Sequence, residues 1–293
     1  MPTTHVIIRF VSFTSDLSVA EFTLATGAGL RPLRLVGGAG VFRLPPPAPR
    51  SYSGSLRPGG NMLMTDLADR WNHARSTVLA RLRDEAAACG ADLVTGVSLR
   101  CRVPLTRPSP AEPASWYREF TATGTAMACA GVAEHGLPAG RPVLTHLRLQ
   151  DYRKLTAQGT APAGLVTATV VAAVRPASNY SLEYDSVSGV PSPAPAPSVP
   201  GPWVAGEMTE YHAVMRRAYS EVLGKLSDAA ARLGAAEVTA TEIERSRAEW
   251  SPAAEVEHTA LFVHALGTAV SSARSAPPVP GPLTIVPVRQ RSA

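Results

Sequence analysis

The chain has 293 residues, of which 45% are hydrophobic, so it can bury a core in one large domain or in two smaller ones. Charged residues make up only 17% and the net charge is +5, which disfavours a concentrated basic face for nucleic acid. No stretch approaches the roughly 20 consecutive apolar residues of a membrane span.

The chain begins MPTTHVIIRFVSF, which lacks the positive start and the long apolar run of a secretion signal. Its three cysteines, Cys89, Cys101 and Cys129, are widely spaced and form no CxxC pair. An odd number of separated cysteines suits a reducing compartment better than a disulfide framework. We therefore expect a soluble cytoplasmic protein.

The first part of the chain predicts strands, a proline-rich loop and a long amphipathic helix. Residues 22–43 offer one or two strands, and the prolines of residues 44–60 exclude helix and inner strand because each removes a backbone donor. Apolar residues then recur every three or four positions, as on one face of a helix. These are Leu67, Trp71, Ala74, Val78, Leu82, Ala86 and Cys89. Thr65 and Asp66 are candidates for the N-cap and the acidic first turn, and Gly90 for the left-handed residue after the helix.

Two strands complete this first unit. Residues 91–103 alternate between apolar and polar side chains, which predicts one buried and one solvated face. The buried face would carry Leu93, Val97, Leu99, Cys101 and Val103. On the other face, Arg100 and Arg102 suit either a bound anion or ordinary solvation. After a second proline-rich loop, residues 116–129 predict a further strand that contains the triplet Gly124-Thr125-Ala126.

The same order of elements returns 143 or 144 positions later. A second helical face is formed by Tyr211, Met215, Ala218, Val222, Leu226, Ala230 and Leu233. Gly234 follows this face as Gly90 follows the first, and residues 235–247 predict a strand that is more polar than its counterpart. Residues 257–272 predict the last strand, which carries the triplet Gly267-Thr268-Ala269.

This repetition defines the expected domains. A weaker match joins residues 153–175 to residues 22–43, so each unit starts in a similar way. We expect a first domain over residues 1–134, a second over residues 135–273, and a flexible proline-rich tail over residues 274–293. The fold class is α+β, with two tandem repeats that each pack a long helix on a mainly antiparallel sheet.

The sequence resembles the YbjQ-like family of heavy-metal-binding domains. In the first unit the resemblance is carried by Ala74-Arg75, Leu82, Glu85-Ala86, Gly90-Ala91, Val94, Gly96-Val97 and Gly124-Thr125-Ala126. In the second unit it is carried by Leu226, Ala229-Ala230, Gly234-Ala235, Val238 and Gly267-Thr268-Ala269. The resemblance implies a helix packed on an antiparallel sheet and assembly into a pentameric ring. A tandem pair and long proline-rich loops depart from the family pattern.

The family name implies a bound metal, but the positions of histidine and cysteine in the sequence give little support for a metal site. His73, His258 and His264 do not recur in the other unit, where Arg217, Ser115 and Thr121 take their places. No HxH, HxxxH or CxxC spacing supplies a local ligand set for a transition metal. Metal sites between subunits stay open as an alternative. The candidate ligands for a divalent transition metal are then His264, His258 and His73.

Catalytic signatures are absent from the sequence. There is no GxSxG elbow, and the GGAG stretch at residues 37–40 lacks the Lys-Ser/Thr of a phosphate-binding loop. We predict no catalytic and no cofactor-binding residues, although an enzyme acting in a cleft between domains remains the third alternative.

The repeated small residues favour assembly. Gly90-Ala91, Gly234-Ala235 and the two Gly-Thr-Ala triplets allow close packing of elements or subunits. We expect a non-enzymatic homo-oligomer that acts as a scaffold or binding module, with five chains in two stacked rings or in one ring of ten positions. Residues 276–293 combine a proline-rich spacer with an apolar segment and a basic end, which suits either a frayed tail or a peptide that docks a partner protein.

Overall fold

A computed structural model of the chain describes residues 15–44, 61–103, 116–132, 136–138, 140–174, 209–250 and 258–272. Within these residues the chain forms four α-helices and eight β-strands, so the predicted α+β class is confirmed. No helix in this part is both long and apolar enough to cross a membrane. The predicted proline-rich loops and the C-terminal tail lie outside the described residues, apart from Leu44.

The helices are α1 (Val19–Gly27), α2 (Thr65–Ala88), α3 (Leu149–Ala157) and α4 (Thr209–Arg232). At the start of α1, Ser18 and Glu21 form a capping box, in which each side chain accepts the backbone N–H of the other residue. After α2 and α4, Gly90 and Gly234 have φ angles of +73° and +70°. The next residue then donates its N–H to the carbonyl five positions earlier. The left-handed glycines predicted at both helix ends are confirmed.

The strands are β1 (Leu30–Arg43), β2 (Asn61–Leu63), β3 (Leu93–Arg102), β4 (Tyr117–Cys129), β5 (Val143–Leu144), β6 (Thr160–Val174), β7 (Glu237–Trp250) and β8 (His258–Ser272). They form two sheets of four strands, in the orders β1-β4-β3-β5 and β2-β6-β8-β7. The pair β3–β5 is parallel and every other pair is antiparallel. We call the sheet that contains β4 sheet A and the sheet that contains β8 sheet B.

Residues 15–132, the first half, and residues 136–272, the second half, use the same order of elements. Each has a short helix, a long strand, a long helix and two further strands, and the last strand lies in the middle of the three long ones. The strand pairing is irregular at four places, between Pro32 and Arg34, Thr95 and Ser98, Pro162 and Gly164, and Thr239 and Glu242. The irregularities in the second half lie 130 and 144 positions after those in the first.

The halves are joined by exchanging short strands. β2 precedes α2 in the first half but pairs with the outer edge of β6, and the N–H of Met64 donates to the carbonyl of Val171. β5 precedes α3 in the second half but pairs with β3 of the first half. In the described residues, β1 and β7 remain at the sheet edges without such a neighbour.

Helix α2 packs between the two sheets, whereas α4 packs on sheet B alone among the described elements. The largest core contains α2 and sheet A side chains together with Val171, Ala173, Ala260 and Phe262 of the second half. The core under α4 contains only residues of the second half and of β2. This difference explains why the predicted face of α2 is almost wholly buried, while Leu233 at the end of α4 is 47% exposed.

Three details of the sequence prediction are wrong. The N-cap of α2 is Met64 and not Thr65, because the helix already starts at Thr65, although Asp66 does lie in the first turn. Cys101 and Val103, predicted on a buried strand face, are exposed, because the core that buries Val94 and Val97 ends near Leu99 and residues 100–103 lie beyond it. The nine-residue helices α1 and α3 stand where only strands were predicted, since two turns are too short for a clear period.

Candidate functional site

The most distinctive polar group of the described chain lies at the interface between the halves. It is built around an aromatic cluster in which Trp71 of α2 meets side chains of both sheets. The ring of Trp71 lies 5.3 Å from Phe120 in sheet A, and 4.8 Å from Phe262 and 5.0 Å from His264 in sheet B. The indole and the imidazole are stacked, with 23° between their planes. Trp71 therefore joins the two sheets through one buried side chain.

The next residue of α2, Asn72, attaches the helix to β6. Its Oδ1 accepts the N–H of Thr169 at 2.8 Å, and its Nδ2 donates to the carbonyl of the same residue at 3.1 Å. The amide side chain thus completes both backbone hydrogen bonds of Thr169, as a neighbouring strand would. This pair fixes the position of the Thr169 side chain, which is fully buried.

The hydroxyl of Thr169 connects two titratable groups. Arg75 Nη1 donates to Thr169 Oγ1 at 3.5 Å, and Thr169 Oγ1 lies 3.0 Å from His264 Nδ1. The hydroxyl can accept from Arg75 and donate its own proton to Nδ1 of the histidine. In that arrangement the imidazole proton is on Nε2.

Arg75 carries a buried positive charge. Only 7% of the residue is exposed, and its Nε has no hydrogen-bond partner in the part of the chain that the structure describes. Burial lowers the pKa of Arg75 to about 10, and the nearby carboxylate of Glu244 partly opposes this shift. A guanidinium with this pKa is still protonated at neutral pH. The site therefore holds a buried cation with donors that the described residues leave unfilled.

His264 is neutral in this environment. Burial, and to a smaller extent the charge of Arg75, lower its pKa to about 3. The lowered pKa is consistent with the contact to Thr169, since a neutral imidazole can accept a hydrogen bond at Nδ1.

The Gly-Thr-Ala triplets lie close to this interface. A Cβ atom added to Gly124 would lie 2.7 Å from Val94 Cγ1, and one added to Gly267 would lie 2.5 Å from Val238 Cγ1. The close approach is to the neighbouring strand of the same sheet. Thr268 is fully buried, and its hydroxyl lies 2.8 Å from Thr145 Oγ1.

His146 continues this contact between the halves. Its Nδ1 lies 3.0 Å from Thr268 Oγ1, and its Nε2 contacts the carbonyl of Ala240. Ala240 has a φ of +51°, and Gly96, 144 positions earlier, has a φ of +65°. In the first half, Thr125 Oγ1 accepts the N–H of Asp16 at 3.3 Å. Both triplets therefore hold the segment that precedes a short helix.

The predicted metal ligands are distributed over different places. His264 is buried against Trp71, while His73 is exposed on α2 and lines a surface cavity with Asp69 and Lys225. The side chain of His258 lies outside the described residues. The described residues contain no group of three His, Cys, Asp or Glu side chains that could hold a metal ion. The metal assignment of these three histidines remains a prediction.

Sequence reasoning did not single out Asn72, Thr169 or Arg75 as site residues. Arg75 is the one that a signal could have revealed, because it stands directly beside Ala74 on the apolar face of α2, where a charged residue is unusual. Thr169 and Asn72 carry no such signal, since both residue types are common on strands and helices. Their role depends on contacts between residues 97 positions apart.

Comparison with known proteins gives one family and one curated relative. Residues 202–273 match the YbjQ-like family whose description is "Putative heavy-metal-binding". These residues support one YbjQ-like domain, and they include the whole of α4, β7 and β8.

The relative is "Encapsulin nanocompartment protein Rv1762c" of Mycobacterium tuberculosis (strain ATCC 25618 / H37Rv). It is 34% identical over 161 residues, which are 55% of this chain and 56% of the relative. The match thus spans little more than half the length of that protein. No solved structure matches the chain significantly.

Proposed function

We propose that the chain is a non-enzymatic scaffold or binding module that assembles head to tail into a ring-shaped homo-oligomer. In this proposal residues 1–134 and 135–273 are two YbjQ-like domains, and the contact between the halves is repeated between chains. The observation that carries the proposal is a set of exposed apolar side chains whose counterparts in the other half are buried.

The short helices give the clearest case. Leu149 and Tyr152 of α3 are 0% exposed, because they pack in a core with residues of the first half such as Leu93. Their counterparts 130 positions earlier are Val19 and Phe22 of α1, which are 87% and 46% exposed. If α1 docks on the second half of a neighbouring chain as α3 docks on the first half, both side chains become buried.

The long helices and strands repeat this asymmetry. Leu79 of α2 is 9% exposed, whereas Leu223, 144 positions later on α4, is 46% exposed. Val171 of β6 is 1% exposed beneath α2, whereas Val41, 130 positions earlier on β1, is 51% exposed. Helix α4 of one chain could therefore cover sheet A of the next chain, as α2 covers sheet B.

The sheet edges support the same arrangement. β6 receives β2 on its outer edge and β3 receives β5, while the matching edges of β1 and β7 have no neighbour among the described residues. Open edges invite further strand pairing, and a closed ring removes them. Each chain supplies two neighbouring domains to the ring, so the ring contains an even number of domains. Five chains then give a ring of ten domains.

Native mass spectrometry of the full chain tests the assembly. We expect one closed oligomer whose mass is the same over a tenfold range of protein concentration, because a ring has no free ends. A monomer at all concentrations would overturn the proposal. An open series of sizes would also contradict it, since head-to-tail contacts that do not close form filaments.

The curated relative supports a more specific role. Because that protein is named for an encapsulin nanocompartment, we propose that the oligomer works with a protein compartment and that residues 276–293 dock the partner. Deletion of these residues should leave the oligomer intact and abolish co-purification of a compartment protein expressed with it. Unchanged co-purification would refute the role of the tail.

Metal binding is the second candidate, and the family description of residues 202–273 favours it. The sites would lie between subunits and use His264, His258 or His73. Native mass spectrometry with added zinc, nickel or copper ions, before and after a chelator, distinguishes the candidates. Stoichiometric metal that is lost on substitution of one of these histidines supports metal binding, and an unchanged mass contradicts it.

A further inference from the structure

A cavity of about 190 Å³ lies between the two sheets, beside α2. Part of its wall is apolar and is formed by Trp71, Phe120, Phe262 and Leu99. The polar part includes Arg75 and His264, the two groups that Thr169 connects. A second cavity of about 410 Å³ shares Arg75 and His264 with the first. The buried arginine therefore borders two clefts that open to solvent and share part of their walls.

Most of the hydrogen-bonding capacity of Arg75 is unused within the described residues. A guanidinium has five N–H donors, and the described residues accept one of them, at 3.5 Å from Thr169 Oγ1. Nε is buried without a partner, and the described residues form no ion pair with Arg75. An unpaired buried charge is strongly unfavourable, whereas a carboxylate can pair with a guanidinium through two parallel hydrogen bonds.

His264 adds a second donor on the same wall. When Nδ1 accepts from Thr169, the ring proton is on Nε2, and no hydrogen bond within the described residues uses that nitrogen. The ring is neutral and stacked on Trp71. Arg75 and His264 together present N–H groups from two elements that Asn72 and Thr169 hold in place.

The remaining charged side chains of the cavity favour an anion. Three further arginines line it, Arg100, Arg102 and Arg118, against a single acidic residue, Glu244. Arg102 is paired with Glu119 outside the cavity wall. The net charge of the side chains that line the cavity is positive. Walls of low dielectric constant strengthen the attraction of a cavity for a negative ligand.

We propose that this cavity binds a small organic carboxylate. The carboxylate pairs with Arg75 and accepts from His264 Nε2, and the apolar body of the ligand lies against Trp71 and Phe262. Inorganic phosphate fits less well, because it has no apolar body to cover the part of the wall formed by Trp71, Leu99, Phe120 and Phe262. This inference does not depend on the ring, since every residue named belongs to a single chain.

Thermal unfolding of the full chain with sodium acetate, butyrate and benzoate tests the proposal, with sodium chloride and sodium phosphate at equal ionic strength as controls. We expect the midpoint temperature to rise with the concentration of butyrate or benzoate, since a ligand that binds only the folded state stabilises it. Sodium chloride should not raise the midpoint temperature, and sodium phosphate should raise it less than butyrate or benzoate.

Arg75→Met is the informative variant, because it keeps the length of the side chain and removes the buried charge. Replacing a buried unpaired charge by an apolar group is expected to stabilise the fold without ligand. The variant should show a higher midpoint in chloride and no response to carboxylates. The second variant is Glu244→Gln, at a position that is exposed in the wild type and lines the cavity. Because it removes a negative charge from the wall, we expect the rise in midpoint temperature to reach half its maximum at a severalfold lower benzoate concentration.

Three results would overturn the inference. The first is an equal response of the wild type to all the sodium salts. The second is an undiminished carboxylate response of Arg75→Met or, if that variant does not fold, an unchanged benzoate response of Glu244→Gln. The third is a stronger response to phosphate than to butyrate and benzoate, which would exclude an organic carboxylate as the ligand class.

Discussion

Substitution of Val19 by glutamate separates folding of the chain from its assembly. Val19 is the first residue of α1 and is 87% exposed, so the single chain loses almost no packing when the side chain changes. An acidic residue in the first turn also interacts favourably with the helix dipole. We therefore expect Val19→Glu to fold with wild-type stability. In the proposed ring, however, the same side chain is buried against the next chain.

The magnitude follows from the counterpart of Val19. Leu149 is 0% exposed in the contact between the halves, so docking of α1 would bury nearly all of the valine side chain. Full burial of such a side chain contributes about 1.5–3 kcal/mol. Its loss weakens each contact between chains by roughly 10- to 100-fold. Burial of the unpaired carboxylate adds a further cost of several kcal/mol, so we expect dissociation into single chains at micromolar concentration.

The matched control is Thr23→Glu, on the same helix. Thr23 is exposed, and so is its counterpart Arg153 on α3, which means that this position stays outside the contact. Size-exclusion chromatography with light scattering should give single chains for Val19→Glu and the wild-type oligomer for Thr23→Glu. Equal masses for both variants would refute the docking of α1.

Three further predictions concern stability, and urea unfolding measures each of them. Gly124→Ala should destabilise the fold by about 1–3 kcal/mol, because the added Cβ meets Val94 Cγ1 at 2.7 Å; an unchanged midpoint would show that β3 and β4 can move apart. Ala240→Gly should stabilise it by about 1 kcal/mol, because Ala240 has a φ of +51°, and a loss of stability would contradict the left-handed conformation. The third prediction is pH dependence: His264 has its pKa lowered to about 3, so the unfolded state binds this proton first and stability should fall as the pH decreases from about 6.5 towards 3. His146, whose pKa burial also lowers, contributes in the same direction, and His264→Phe should reduce the slope between pH 6.5 and 5; an unchanged slope would refute the assignment to His264.

The sequence predicted the parts of the fold that depend on local patterns. Leu82 and Leu226 stand on faces with a clear helical period, and both helices end at glycines in the predicted left-handed conformation. The strands predicted over residues 116–129 and 257–272 match β4 and β8 closely. The period-two pattern of residues 91–103 failed at Cys101, because the packing of other elements, and not the residues of β3 alone, decides how far the core extends along the strand. The capping box of Ser18 and Glu21 was the readable signal for α1 that the prediction missed.

What the sequence determined by itself is therefore the α+β class, the two long helices with their ends, and the order of the long helices and long strands in both halves. These follow from propensity, side-chain period and glycine conformation, all of which act between residues close in the chain. Only the tertiary structure decided that β2 and β5 cross to the other half and that Arg75 meets Thr169 and His264. Such contacts join residues about 100 positions apart, and their energy comes from burial and hydrogen bonding that exist only once the two sheets have packed on α2.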